Sequence, residues 1–591
     1  MEKISRQSFL RMGAFSALLP IVSQALGSDV SAWETTTEDE ALLLQLVNAN
    51  DEQLDQILPT IQAGKQQFSR RIGNDFSMIA AGYAHPQSKY FHQHALIDYL
   101  HQLVQVMIRF QTADGTVNIG NLESPPDTSF LIELLCPGIE ILKHDGSADA
   151  LGVCEAIKPF MQKSGHALAV GGVHTANHRW VVSVALAQLH HLYPNPQYVQ
   201  RIEEWLSEGI FIDADGHYAE RSIIYSAVEN TAYIGIARLL NKPALLQPVR
   251  KNLRMMYYYM EPSGQMITND SRRQDQFLYR DILLYYYHYR YLAILDRDPF
   301  FAAVVQFMEQ MPNFKQDVLN KGLPFFMETS LLRQSLPAPA KLNTNYEKLF
   351  PTSALLHIRR GSTSTTLFGG VDWPLIVASG RSHSPNFFSY RKGKAVMQYM
   401  RLSSTFFSMG YFYSDGLEKV GNAYRLRKKL DIPYYQPMAV SKRKKNGDYT
   451  LSPSIDDRFW NKMDFANRKV SNVKAMETIV TMTEVNGMVS LHFSIQGLAN
   501  VPVTIECCFG NDGVLSGTQA AGNNNHFLEQ AEATFTNGSD SIRIGPGLLA
   551  HRNINNLEGE RYSTHFGSLR TEGQRLFITG LTPFNHTLHI S

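Results

Sequence analysis

Cysteine is scarce. There are four in 591 residues, Cys136, Cys154, Cys507 and Cys508, and none shows the paired spacing of a zinc site. A chain of this length can build its cores without disulfides. Cys136 and Cys154 could bridge, whereas adjacent Cys507 and Cys508 would point to opposite faces of a strand and read as buried free thiols. Excess charge of either sign is missing too. Lys and Arg number 55 against 54 Asp and Glu, a net charge of +1, which excludes the basic footprint of a nucleic-acid-binding domain. Any anionic partner must be met by a local site. Long apolar runs are absent, and nothing approaches the ~20 residues that cross a membrane. Residues 1–27 carry basic residues, a short apolar run and Ser23-Gln24-Ala25, the pattern of a secretory signal peptide cut after Ala25. SRQSFLR carries Gln7 where a twin-arginine signal has its second Arg. These features predict a periplasmic or secreted protein without membrane insertion.

What the sequence does have is hydrophobic periodicity, of two kinds. From about residue 38 to 311 apolar residues recur at three- and four-residue spacing, over Glu40 to Ile61, Tyr90 to Phe110, Thr128 to Lys143, Thr175 to Leu192, Ser222 to Leu240 and Arg272 to Leu295. Glycines follow polar residues at Gly115, Gly165, Gly216 and Gly264, spaced 50, 51 and 48 residues apart. A repeat of that length fits helical hairpins stacked in a solenoid or closed into a ring. In a ring, the loops Gly120 to Phe130, Gly171 to Trp180, His217 to Tyr225 and Met266 to Phe277 would share one rim. The pattern decays between about 312 and 345, and Leu336-Pro337-Ala338-Pro339-Ala340 reads as a linker. Beyond it the period becomes two, in Val501 to Phe509, Thr478 to Val485, Met488 to Ile495 and Arg575 to Leu581. Asn486-Gly487 is a hairpin signal and Asp512-Gly513 a second turn. The expected class is α+β: an (α/α) incomplete toroid over residues 26–340, then an antiparallel β-sandwich over 341–591.

Two stretches carry candidate chemistry. GGVHTANHRW (Gly171 to Trp180) brings Asn177 and His178 to the start of a helical pattern. DGHYAERSIIY (Asp215 to Tyr225) places Arg221 and Tyr225 four apart, on one face if the helix has begun by Arg221. An amide, an imidazole, a guanidinium and a phenol suit the removal of a weakly acidic proton next to a carboxylate. In β-elimination of a uronic acid the C5 proton is taken and the C4 oxygen is expelled. Donors and cations must then be aimed in advance at a carboxylate that is already ionised. A tyrosine base, with an unperturbed pKa of about 10, needs a nearby cation, the role read here for Arg221. Asn177 could instead be a helix cap, and His174 with His178 could hold a metal, although no carboxylate ligand stands near them. On the Met266 to Phe277 loop, Asn269, Asp270, Arg272 and Arg273 could bind sugar hydroxyls or the carboxylate. His174, Tyr218 and Glu220 complete the candidate substrate contacts. The tyrosine runs at Tyr257 to Met260 and Leu284 to Leu292 read mostly as core.

This combination resembles the heparinase II/III-like polysaccharide lyases and the related alginate lyases: a helical toroid, an Asn-His pair opening a helix, a DG-x-x-x-E segment followed by Tyr, and a sandwich histidine. Within that group it is most similar to the lyases that remove terminal rhamnose from glucuronate in arabinogalactan, polysaccharide lyase family 27. The resemblance implies that Asn177 and His178 neutralise the substrate carboxylate, that Tyr225 is the catalytic phenol, and that His383 in GRSHSPNFFSY closes the site from the sandwich. Glu220 is followed by Arg221 and Ser222 where the family has Gly or Gly-Pro, so Tyr218 or Tyr233 could be the working phenol. Ser382 and Pro385 stand where some members bind zinc through a second His and an Asp. No metal or cofactor is therefore predicted.

Two other classes remain open on the residues alone. Inverting glycoside hydrolases on a helical toroid need two carboxylates about 6.5–9.5 Å apart, and Asp127, Asp215, Glu220 and Asp270 could supply them. A carbohydrate-binding protein would need aromatic platforms and no base.

Overall fold

The computed structural model describes residues 38–377, 380–408, 410–452, 463–548 and 572–591. The predicted leader lies outside the described residues. Among the described residues twelve α-helices precede the first long strand, and their arrangement follows from which helices pack together. Arg71–Ala84, Pro125–Asp145, His178–Leu192 and Ile223–Leu239 contact one another in succession. They run parallel: a Cβ on Gly73 would meet Leu131, and one on Gly138 would meet Ser77 four residues further along. Between them the chain returns through His94–Phe110, Ala148–Val170 and Pro196–Ser207, which form a second row. The last helix, Asn320–Glu328, packs on Glu40–Gln62, Arg71–Ala84 and Pro125–Asp145, bringing the end of the helical region back to its beginning. The result is a two-layered (α/α) toroid.

Its consequence for function is geometric. Parallel inner helices present all their N-termini at one rim, where unpaired N–H groups and the helix dipole favour anions. Local sequence fixes those ends. Ser124 caps Pro125–Asp145 by accepting the Asp127 N–H, and Ser222 caps Ile223–Leu239 by accepting the Tyr225 N–H. Pro125 occupies the first helical position, where its missing N–H costs nothing.

Several expectations are corrected. Gly115, Gly216 and Gly264 sit at φ of 98°, 113° and 89° in left-handed turns, but Gly165 lies inside the helix Ala148–Val170. There it makes room for Tyr198, whose hydroxyl would lie 2.2 Å from an added Cβ. The pattern read as one helix over Arg272 to Leu295 is two 3₁₀ turns, Gln274–Phe277 and Ile282–Tyr285, followed by the helix Tyr286–Leu295. Asp281 interrupts the helical run there, accepting the Leu283 N–H. Helical structure also persists through the stretch where the pattern decays, to Arg333. All four cysteines are free and buried, so Cys136 and Cys154 form no bridge.

Among the described residues the C-terminal part holds two large sheets. One has ten strands, in the order Asn345–Phe350, Leu355–Arg360, Thr363–Phe368, Phe388–Lys392, Ala395–Ser404, Pro502–Phe509, Gln574–Leu581, Asn525–Leu528 and Thr518–Ala520, with Gly410–Tyr411 joined to Ala395–Ser404. The other has eight, in the order Val514–Ser516, Ala533–Asn537, Asp540–Gly545, Phe584–Ile590, Met488–Gly497, Val470–Val485, Ala423–Tyr435 and Leu417–Val420. Among the described strands pairing is antiparallel except between Asn525–Leu528 and Gln574–Leu581. Alternate residues of both sheets, among them Met400, Ile505, Cys507, Phe493 and Leu588, form one apolar core. Asn486 and Gly487 have φ of 51° and 86°, the double left-handed requirement of a two-residue hairpin turn, and Val485 faces Met488 across it. The bend at Asp512-Gly513 leads from one sheet to the other, because Phe509 and Val514 belong to different sheets.

The sandwich docks on the toroid through a buried ionic cluster. Glu261 lies between His357 at 3.6 Å and Arg391 at 3.5 Å and accepts from Ser364. Burial works against its ionisation, yet Arg391, His357 and Ser364 pull its carboxyl down to about 2.

Candidate functional site

The site forms where the inner-helix N-termini meet the loop before Gln274–Phe277. Asn177 is fully buried, and its side chain makes no capping bond. Its main-chain N–H donates to Glu220 Oε1 at 3.0 Å and its Nδ2 to the same oxygen at 2.6 Å. The amide is thus held by a carboxylate 43 residues away. The other oxygen of Glu220 pairs with the Arg273 guanidinium, both side chains being largely shielded from solvent. Arg273 in turn lies over the Tyr225 ring, its guanidinium carbon 4.1 Å from the centroid, a cation–π contact. The Tyr225 hydroxyl accepts from Gln274 Nε2 at 2.8 Å. One chain of contacts therefore runs Asn177, Glu220, Arg273, Tyr225, Gln274, and it joins three loops of the rim.

His178 opens the helix beside Asn177. It is 9% exposed, its ring meets that of exposed His174 edge-on at 4.7 Å, and the Phe130 ring lies at 6.4 Å. Burial, helped by neighbouring His174, Arg273 and Arg70 and opposed by Asp127, lowers its pKa to about 4. The imidazole is neutral at physiological pH. Its Nδ1 is buried and has no hydrogen-bond partner among the described residues, and the same holds for Asn177 Oδ1. Arg70 lies at the N-terminus of Arg71–Ala84, stacks on Phe130 at 4.4 Å and pairs with Asp127.

The pairing expected around the phenol and the alternative phenols are both corrected. Arg221 cannot share a helix face with Tyr225 on the four-residue argument, because the helix begins at Ile223 and Arg221 precedes it at φ 48°. Its Nη2 donates to the Thr352 carbonyl of the sandwich at 3.1 Å. The cation on the phenol ring is Arg273, which sequence reasoning had assigned to substrate. Tyr218 and Tyr233 are corrected as candidate phenols: both are fully buried. Tyr218 donates to Asn230 at 2.8 Å, and burial raises both hydroxyls well above their ordinary value.

Asn269 Nδ2 donates to the Asn386 carbonyl at 2.7 Å, linking the rim loop to the sandwich. Asn386 is itself fixed by buried Arg401, whose Nε donates to its side chain at 2.7 Å. Arg272 Nη1 donates to the Ala219 carbonyl at 2.7 Å, bracing the segment that carries Glu220. His383 ends the short strand Gly380–His383, which packs against the turn Gln274–Phe277. The side chain of His383 lies outside the described residues.

The four carboxylates considered for hydrolysis are otherwise engaged. Asp127 accepts from Ser124, Asn121 and Arg70; Asp215 accepts the Thr352 and Ser353 N–H groups; Glu220 holds Asn177 and Arg273; Asp270 accepts from Tyr259. Among the described residues no group of three or more His, Cys, Asp and Glu is arranged to hold a metal ion.

Sequence reasoning missed Gln274, Arg70, Phe130 and Asp275. Gln274, Asp275 and Phe130 stood within the rim loops it marked, but nothing local separates them from their neighbours. Arg70 had no signal, since the helix it opens was not recognised. Asp275 is fully buried and accepts from Ser222 Oγ at 2.9 Å, the Ile224 N–H at 3.3 Å and Ser271 Oγ. It clamps the turn carrying Gln274 to the helix start carrying Tyr225.

No protein-family model and no curated protein sequence matches the chain. Solved structures do. Heparinase III is 12% identical with a TM-score of 0.50, over 87% of this chain and 75% of that one. Chondroitin AC lyase from Streptomyces coelicolor A3, in complex with chondroitin sulphate, is 12% identical with a TM-score of 0.50, over 96% and 80%. Paenibacillus xanthan lyase is 10% identical with a TM-score of 0.53, over 94% of this chain and 57% of its own length. The chain therefore has the fold of these three enzymes, a helical toroid followed by an antiparallel β-sandwich.

Proposed function

We propose that this protein is a polysaccharide lyase that cleaves at C4 of a uronic acid by β-elimination, with Tyr225 as the proton-transferring group. The observation that carries the reading is the contact chain from Asn177 through Glu220 and Arg273 to Tyr225. It sets a buried amide, a neutral imidazole, a cation and a half-buried phenol at the N-terminal rim of parallel helices. Two of the structural neighbours are lyases by name and the third a heparinase, which supports the reaction class.

The substrate carboxylate would lie against Asn177 and His178. Negative charge that develops there as the C5 proton leaves would meet the helix N-termini and Arg273. Tyr225, with Arg273 on its ring face, takes the proton. In glucuronate the C5 hydrogen and C4 oxygen lie on the same ring face, so the same phenol can return the proton to the leaving oxygen. The helical unit, residues 26–340, supplies these groups, and the sandwich unit closes the site from His383. Terminal rhamnosyl-glucuronate of arabinogalactan is the first glycan to test, a choice supported by the resemblance of the Asn177-His178 and Asp215 to Tyr225 segments. Action outside the cytoplasm is part of the proposal and rests on residues 1–25.

The test is ultraviolet absorbance of an unsaturated uronate product, with purified protein and a panel of uronate polysaccharides that includes arabinogalactan. Absorbance that rises with enzyme establishes a lyase. Reducing sugar released without it would make the protein a hydrolase and overturn the reading, although the engaged carboxylates argue against that outcome.

A further inference from the structure

Gln274 touches the phenol and has no place in the scheme above. Its amide Nε2 lies 2.8 Å from the Tyr225 hydroxyl. The side chain is exposed, so burial alone does not hold it there. The 3₁₀ turn Gln274–Phe277 is held instead, because buried Asp275 ties it to Ser222, Ile224 and Ser271 around the start of the tyrosine's own helix. The amide and the phenol are thereby mounted on one rigid unit.

We infer that Gln274 is a positioning residue that sets the protonation behaviour of Tyr225, an inference that rests on the lyase reading. An amide N–H can only donate. When it donates to the phenol oxygen, it leaves the phenol's own proton directed away from Gln274 and ready for transfer. It also stabilises the phenolate more than the neutral phenol, because a hydrogen bond to an ionised acceptor is the stronger one. Arg273 acts on the ring face and Gln274 on the oxygen, so the two contributions are separate. Among the described residues the Gln274 side chain's hydrogen bond goes to the tyrosine. Its removal should therefore change when the base is ionised and leave substrate affinity alone.

The experiment measures that ionisation directly. A fluorotyrosine placed at position 225 reports its own titration by fluorine NMR, in the full chain and without substrate. In Gln274→Met, which keeps the length and loses the donor, the midpoint should rise by about one pH unit. In Gln274→Glu a carboxylate at the same place should raise it further. With an active substrate, the rising limb of the kcat–pH profile should move by the same amount, giving about a tenfold loss at pH values below it, with KM within about twofold. An unchanged midpoint in Gln274→Met overturns the inference. A falling midpoint overturns it as well, since the amide would then be accepting the phenol's proton. A raised KM with an unshifted profile would make Gln274 a substrate contact instead. If the midpoint shifts as stated and no glycan yields unsaturated product, the hydrogen bond stands and the lyase reading falls.

Discussion

At the scale of single residues, Glu220 stands at the centre of the contact chain, between the two groups that would otherwise define separate halves of the site. Its two oxygens serve Asn177 and Arg273, and the amide and the guanidinium both need it. Glu220→Gln keeps the shape and loses the ion pair, which should cost about 1–3 kcal/mol of stability and lower kcat at least about tenfold. Urea unfolding and steady-state kinetics check both, and full activity with an unmoved unfolding midpoint would remove the brace from the account. His178 makes a second claim, about acid. Its pKa is depressed to about 4 when folded, mainly by burial, against an ordinary 6.5, and buried His288 is lowered to about 3 for the same reason. A group with a depressed folded pKa contributes stability above its unfolded pKa and loses it as pH falls toward the folded one. Stability should therefore decline between pH 6.5 and 4, by about 3 kcal/mol from His178 alone. Urea titrations at the two ends of that window, with His178→Gln showing the shallower loss, test it.

At the scale of elements, the site depends on a turn rather than a helix. Sequence periodicity carried through Arg272 to Leu295 because the tyrosine-rich run beyond Leu284 is helical, and it hid the break that puts Arg273 and Gln274 on the rim. Asp275 is what fixes that break. Asp275→Ala would leave the Ser222 and Ser271 hydroxyls and the Ile224 N–H without their acceptor, at an expected cost of about 2–3 kcal/mol. Because the turn carries both partners of Tyr225, kcat should fall with it. Thermal unfolding together with kinetics is the check, and a variant as stable as the parent would show the clamp to be dispensable. The helix starts themselves were legible where an apolar stripe follows a capping residue, as at Glu40 and Ile223. Arg71–Ala84, Ala148–Val170 and Pro196–Ser207 were not recognised, although the last two begin with a Ser147 or an Asn195 cap. Gly165 shows the opposite error. Its polar neighbours read as a turn, yet its lack of a side chain serves helix packing against Tyr198.

At the scale of the molecule, the change of hydrophobic period from about 3.6 to 2 was enough to give a helical part followed by a β part, whereas the closure of the helices into a ring rested on the glycine spacing and the family resemblance. Hydrophobic period is local and repeated, and so survives in one sequence. The candidate site was legible only in part. Asn177, His178 and Tyr225 announced themselves by residue type at helix starts, but Glu220 lies 43 residues from Asn177, Gln274 lies 49 from Tyr225, and Glu220 and Arg273 are 53 apart. No spacing rule spans such separations, and Arg273 was consequently placed on the substrate and Arg221 on the phenol. The interface follows the same logic. Asp215 fixes Thr352 and Ser353, and Asn269 holds the Asn386 carbonyl, so the sandwich is positioned by the segments that carry the chemistry. All of this bears on one phenol. The most direct measurement is kcat of Tyr225→Phe on a uronate glycan that the parent converts to unsaturated product. The account predicts a loss of about 10²–10⁴-fold with thermal unfolding unchanged. Retention of most of the parent rate by a folded Tyr225→Phe would contradict it.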